Sequence, residues 1–225
     1  MTAVASAHHP LVIGHRGFRA RYPENTVAGV RAALAAGADG VEIDIRPTRD
    51  GVWVAHHDLR RNGRHSRDWS WTELAGDGVD SLEAILAELD PSHWLFLEIK
   101  PLPHRRLEPL LEPLVRAVQP HGARTRVLSS SARILLAAAE AFDRIHFSLV
   151  ISRFEAAPLP EAWSLSPHHI LVERLLATGR ELHPWTVNRP ARILELALLG
   201  VPSVTTDNPE LAIQPLQNAP FPPPR

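Results

Sequence analysis

A single α/β domain of eight parallel strands alternating with helices is the fold this sequence predicts, and three observations carry the prediction. Short β-rich runs alternate with amphipathic stretches from beginning to end, the signature of repeated βα units around a parallel sheet. Eight such runs can be placed, enough for the sheet to close on itself as a (β/α)8, or TIM, barrel. At 225 residues and 44% hydrophobic content, the chain suits one barrel of this kind, which takes about 200 to 250 residues.

Taken in order, the first strand covers residues 11–17 and the helix after it 26–36, ending before Gly37. The second strand, 40–48, is followed by Arg49, Asp50 and Gly51, a turn sequence suited to a tight reversal, and then by the alternating run 52–58. That run is read as an extra hairpin strand beside the second barrel strand. Next come helix 81–89, strand 94–100, helix 105–118, strand 125–131, helix 132–142 and strand 145–152. Apolar periodicity and breaker placement set the helices, with Gly122, Gly179 and Gly200 at expected stops. The fifth crossover, 154–162, contains Pro158 and Pro160, so its helix is short or absent. Strand 163–166, helix 170–178, strand 181–188, helix 191–199, strand 203–207 and helix 210–216 complete the set. The barrel is thus expected over residues 11–217, after an extension at 1–10 and before a proline-rich, mobile tail at 218–225.

Composition narrows the chemistry. With 24 Lys and Arg against 25 Asp and Glu, the chain has no electrostatic footprint for nucleic acid, and none is expected as a partner. The longest greasy run, 134–139, falls far short of the about 18 apolar residues that span a bilayer. No stable membrane association is expected. Residues 1–10 carry neither a basic leader nor a long apolar core, so cytoplasmic residence is the expectation. The absence of cysteine removes disulfides, a thiolate nucleophile and cysteine zinc sites. The chemistry falls to His, carboxylates, hydroxyls or a bound ion.

Side chains alternate along a strand, so Glu42 and Asp44 point to one face while Val41, Ile43 and Ile45 point to the other. Two carboxylates then face the barrel interior, and burying both uncompensated costs several kcal/mol each. That cost favours a cation between them or protonation of one. Glu98, near the end of the next strand, is placed to supply a third oxygen ligand. Hard carboxylates without cysteine favour Mg²⁺ or Ca²⁺. The plainer alternative is a structural ion-pair network with Arg16, Arg46 or Lys100. His15 and Arg16 end the first strand, where barrels of this type place their working loops, and His57 ends the hairpin. Two imidazoles beside one metal can divide the proton transfers of phosphodiester cleavage, while Arg16 and Lys100 neutralise phosphate oxygens.

The chain also resembles the glycerophosphodiester phosphodiesterase family. Ile13-Gly14-His15-Arg16-Gly17 and Pro23-Glu24-Asn25-Thr26 are similar to its opening signature. Gly40-Val41-Glu42-Ile43-Asp44, Thr48-Arg49-Asp50-Gly51, His57-Asp58 and Leu97-Glu98-Ile99-Lys100 follow in its order. Trp185-Thr186-Val187-Asn188 and Thr206-Asp207-Asn208-Pro209 resemble its closing motifs. The resemblance implies a TIM barrel that releases glycerol 3-phosphate and an alcohol from small glycerophosphodiesters. It implies Glu42, Asp44 and Glu98 as ligands of a divalent ion and His15 and His57 as the acid/base pair. It also implies attack by the substrate's own glycerol hydroxyl, giving a cyclic phosphate that water opens.

Several residues carry two readings. Asn25 can cap the following helix, and Glu24 can favour its N-terminus or reach the metal region. Trp185 either packs against the substrate's glycerol or plugs the barrel. Trp69 and Trp71 serve as a lid or, preferably, as the anchor of their own loop. Departures from the family pattern lie after His57-Asp58, where the loop is short, and at Ser129-Ser130-Ser131, where the family's usual aromatic is missing and a more open pocket wall is expected. Two alternatives remain: a phospholipase-D-like, sphingomyelinase-type barrel that stops at a cyclic phosphate, and a non-catalytic phosphodiester-binding barrel.

Overall fold

The computed structural model describes residues 9–102, 107–153 and 159–219. In chain order the elements are β1 (Leu11–His15), α1 (Val27–Ala35), β2 (Gly40–Pro47), β3 (Trp53–Ala55), β4 (Arg60–Arg61), β5 (Arg64–His65), α2 (Trp71–Gly76), α3 (Leu82–Leu86) and β6 (Trp94–Ile99). There follow α4 (Glu108–Val118), β7 (Thr125–Ser129), α5 (Ala132–Ala141), β8 (His146–Ile151), β9 (Ser164–Pro167), α6 (Val172–Leu175), α7 (Pro190–Leu198), β10 (Ser203–Thr206) and α8 (Pro209–Gln217).

The main sheet runs β10-β1-β2-β6-β7-β8-β9, all parallel, with β3 antiparallel on β2. The expected strand at 181–188 is an irregular segment that makes isolated bridges to Leu165 of β9 and to His168 just past it; Pro184, whose carbonyl faces β10, has no N–H to continue a ladder on that side. It still closes the barrel. On one side His183 N donates to Leu165 O and Trp185 N to Pro167 O; on the other, Thr205 N donates to Pro184 O and Val187 N to Thr205 O. The (β/α)8 architecture with an extra hairpin strand after β2 therefore stands, its seventh strand reduced to this bridging segment.

Outward-facing strand residues pack against the helices. Val12, Val41, Ile43, Ile45, Leu95, Leu97 and Val127 meet Val30, Ala33, Leu114, Leu135 and Leu196 in one buried cluster, the burial that drives a fold of this kind. Inside the barrel, Ile13, Phe96 and Leu128 form a separate apolar floor. Arg126 donates to Ser164 Oγ at 2.6 Å, and the buried His183 packs edge-on against Phe96 and lies 2.7 Å by Nδ1 from Ser203 Oγ.

Several local expectations are refined. Thr26, not Asn25, caps α1, its hydroxyl accepting from Gly29 N. The helix expected at 170–178 is α6 flanked by 3-10 turns, and α4 passes into a 3-10 turn that runs through Gly122. The β4–β5 hairpin and α2, which begins with a capping box from Ser70 and Glu73, were not anticipated. Trp69 and Trp71 pack with Val54, Leu74 and Val79, so they anchor their loop. The expectations for residues 1–8, 105–106, 154–158 and 220–225 fall outside the described residues.

Candidate active site

Strand register builds the site. His15 on β1 is the Cα partner of Glu42 on β2, and Asp44 is the partner of Glu98 on β6. The three carboxylates offer oxygen atoms that all lie within 4.8 Å of one another. Glu42 is 5% and Asp44 1% exposed, so the cost of burying charge applies in full.

Part of that charge is met by protein. Lys100 Nζ lies 2.7 Å from Asp44 Oδ1 and 2.8 Å from Glu98 Oε1. Arg16 Nε lies 2.9 Å from Asp44 Oδ2, an ion pair without hydrogen-bond alignment. Arg46 takes no direct part: it donates to the carbonyls of His57 and Pro101. Glu42 is the unmet member. One oxygen accepts from Arg16 N at 3.1 Å, while Oε1 is buried with no partner among the described residues. Burial, with Asp44 and Glu98 nearby, pushes Glu42 well above the ordinary carboxylate range. Burial raises Glu98 too, against the pull of Lys100. At Asp44 the same burial is outweighed by Lys100 and Arg16, which hold it low. The ion-pair reading is thus half right, and it leaves a buried oxygen and a three-carboxylate cluster that suit a hard divalent cation.

The loop after β1 holds this cluster in place. Arg16 and Asn25 both adopt left-handed backbone, with φ of 52° and 56°, a conformation that costs about 1 to 3 kcal/mol in a residue other than glycine. Asn25 N donates to Arg16 O. The Asn25 side chain, 3% exposed, donates to Asp44 Oδ2 at 3.1 Å and accepts from Asp44 N at 3.0 Å. Gly17, at φ 83°, lets the loop lie on α1; a Cβ there would sit 2.6 Å from the backbone of Gly29. Glu24 takes both its oxygens to Arg16 and also accepts from Arg19, so it brackets the arginine rather than the carboxylates.

Both histidines have carboxylate partners. His15 Nδ1 is 2.7 Å from Asp207 Oδ1, leaving Nε2 on the Glu42 side at 3.9 Å. His57 Nδ1 is 2.8 Å from Asp58 Oδ1. Burial alone would raise Asp207, but hydrogen bonds from His15 and Asn188 bring it down to about 2. His15, Arg16, His57, Glu42, Glu98 and Lys100 line one cavity of about 210 Å³. Trp185 lines it too, half-buried, its indole N–H donating to Ser166 O at 2.8 Å. Asp44, buried beneath Arg16 and Lys100, is the one candidate residue outside that lining.

Sequence reasoning missed three contributors. Asp207 and Asn188 stood inside recognised strings without a role, yet an acid at the end of the last strand must neighbour the first strand once a barrel closes. Asn25 was read as a cap. Of the serines of the far wall, Ser130 lies in the Ser129-Ser130-Ser131 run where an open wall is expected, while Ser152 and Ser166 carry no sequence signal of their own.

Comparison with known proteins gives a consistent outcome. The model of the Glycerophosphoryl diester phosphodiesterase family matches residues 15–121 and 129–211. A glycerophosphodiester phosphodiesterase of Caldanaerobacter subterraneus subsp. tengcongensis is 29% identical, over 90% of this chain and 96% of its own length. The crystal structure of a glycerophosphodiester phosphodiesterase from Thermotoga maritima superposes with a TM-score of 0.77 at 24% identity, covering 92% of this chain and 98% of that one. An Oleispira antarctica phosphodiesterase, solved in complex with the product sn-glycerol-3-phosphate, has a TM-score of 0.77 at 23% identity, covering 93% and 97%. At these identities the two structures establish a shared fold.

Proposed function

This chain belongs to the glycerophosphoryl diester phosphodiesterase family, and on that footing we propose that it hydrolyses glycerophosphodiesters to glycerol 3-phosphate and an alcohol. The observation that carries the proposal is the meeting of the carboxylate cluster and two carboxylate-backed histidines around one cavity. The product held by the Oleispira antarctica relative supports the same substrate class.

In this reading Glu42, Asp44 and Glu98 hold a divalent cation, Mg²⁺ or Ca²⁺, which when bound offsets the negative charge gathered on the phosphate. Arg16 and Lys100 at the lip of the cluster contact the phosphate oxygens, and Trp185 packs against the glycerol. A glycerol hydroxyl attacks phosphorus, its proton passing to one imidazole, while the bond from phosphorus to the leaving alcohol breaks and the other imidazole supplies the alcohol's proton. Water then opens the cyclic phosphate with the two histidines in exchanged roles. Asp207 and Asp58 keep Nδ1 of each ring engaged, so that Nε2 is the nitrogen that moves protons.

The test is product analysis with small glycerophosphodiesters. Glycerol 3-phosphate as the end product supports hydrolysis; a stable cyclic phosphate from a lysophospholipid, with no glycerol 3-phosphate, would favour the sphingomyelinase-type reaction. Among the described residues no helix is long and apolar enough to cross a membrane.

A further inference from the structure

The loop after β1 carries a cation that the reaction above does not use. Arg19 lies between the strings at 13–17 and 23–26 and outside the lining of the catalytic cavity. Its Nε donates to Glu24 Oε2 at 2.9 Å, and its Nη1 lies 3.5 Å from both carboxylate oxygens of Asp207. Each of those acids is already the partner of a residue in the reaction. Glu24 accepts from Arg16 Nη1 with both oxygens at 2.9 Å, and Asp207 Oδ1 lies 2.7 Å from His15 Nδ1. Arg19 therefore joins the partner of the phosphate-facing arginine to the partner of a proton-carrying histidine.

Charge gives this bridge a purpose. Arg16 faces Asp44 at 2.9 Å as well as Glu24, and carboxylates at that range cancel much of the field a guanidinium can offer a phosphate. Glu24 shared with a second guanidinium cancels less of the first. Burial alone would raise Glu24; the hydrogen bond from Arg19, ahead of the charge of Arg16, brings it below the ordinary carboxylate range. The main chain seats the loop without help from the Arg19 side chain: Phe18 N donates to Gly29 O, Ala20 N to Asp207 O and Asn25 N to Arg16 O.

Resting on the proposed hydrolysis, we infer that Arg19 is a positioning residue for the phosphate: anchored on Asp207, it takes up part of the charge of Glu24 and so leaves Arg16 the positive field and the orientation with which it meets the phosphate oxygens. Arg19 itself does not touch the substrate. Its side chain is 43% exposed, so a small ion can reach its place when it is removed.

The experiment measures kcat/KM for glycerol 3-phosphate release from one glycerophosphodiester, with Mg²⁺ or Ca²⁺ present, for wild type, Arg19→Ala, Glu24→Gln and the double variant. Arg19→Ala is expected to lose about tenfold while its Tm stays within about 3 °C of the wild type, since exposed ion pairs add little stability. In the Glu24→Gln background, where there is no carboxylate charge to share, the same substitution is expected to cost less than about twofold. Methylguanidinium, a free copy of the missing group, restores activity to Arg19→Ala, whereas the uncharged methylurea does not. Arg19→Ala as active as wild type, an equal loss with and without the Glu24 carboxylate, a loss that comes with a larger fall in Tm, or a variant that methylguanidinium leaves unmoved overturns the inference while leaving the hydrolysis intact. No release by the metal-loaded wild type overturns the hydrolysis itself and this inference with it.

Discussion

Asp207 Oδ1 sits 2.7 Å from Nδ1 of His15 although 192 residues separate them in the chain. Barrel closure makes β10 the neighbour of β1, and the residue just past β10 arrives behind the histidine. Asn188 on the bridging segment fixes the carboxylate from the other side, donating to Asp207 Oδ2 at 2.7 Å. The acid orients an imidazole that carries protons in the proposed reaction.

Asp207→Asn is therefore expected to lower kcat by about 10²- to 10⁴-fold while KM changes little, the range that a general acid–base group supplies. The carboxamide can donate to Nδ1 and so favours the tautomer with the proton on Nε2, the wrong one for accepting it. Steady-state kinetics on one glycerophosphodiester checks this; equal loss in KM would assign Asp207 to substrate binding instead.

Asn25 makes its two side-chain hydrogen bonds to one carboxylate residue, Asp44. Asn25→Gly keeps a residue at ease with φ 56° and removes only that bracket. Affinity for Mg²⁺ or Ca²⁺, measured by titration calorimetry, is expected to fall about 10- to 100-fold. Unchanged affinity would leave Asn25 a purely structural loop residue.

His183 is buried in the barrel and, chiefly through that burial, is held at about 4 against the ordinary 6.5. Above pH 6.5 the ring is neutral in both folded and unfolded chains and stability is complete. Between 6.5 and about 4 the unfolded chain takes a proton that the folded one refuses, so stability falls as pH falls, by about 3 kcal/mol at most. Other titrating groups add their own slopes, and a difference between proteins isolates this one. The change in unfolding free energy between pH 7 and pH 4.5, from urea denaturation, is expected to shrink by about 2 kcal/mol in His183→Gln. An identical pH dependence in the variant would contradict the assignment.

Much of this was legible beforehand because strands and crossover helices repeat with clear periods and because alternation alone sends Glu42 and Asp44 to the same side of β2. Strand 181–188 was legible as β-rich but not as irregular, since Pro184 acts only through the ladder it interrupts. Asn25 shows the limit of local reading. Beside a helix start it reads as a cap, and only the left-handed turn at Arg16 and Asn25, set by tertiary packing, swings its amide onto Asp44.

In the proposed reaction the cluster of Glu42, Asp44 and Glu98 works with His15 and His57 to cleave glycerophosphodiesters. The most direct measurement is glycerol 3-phosphate release from mixed glycerophosphodiesters by chelated protein, before and after adding back Mg²⁺ or Ca²⁺, with His15→Ala and Glu42→Ala alongside. Release is expected to disappear on chelation, to return with the ion, and to be lost in both variants. Metal-loaded wild type that releases no glycerol 3-phosphate, or a Glu42→Ala protein as active as wild type, would contradict that reaction.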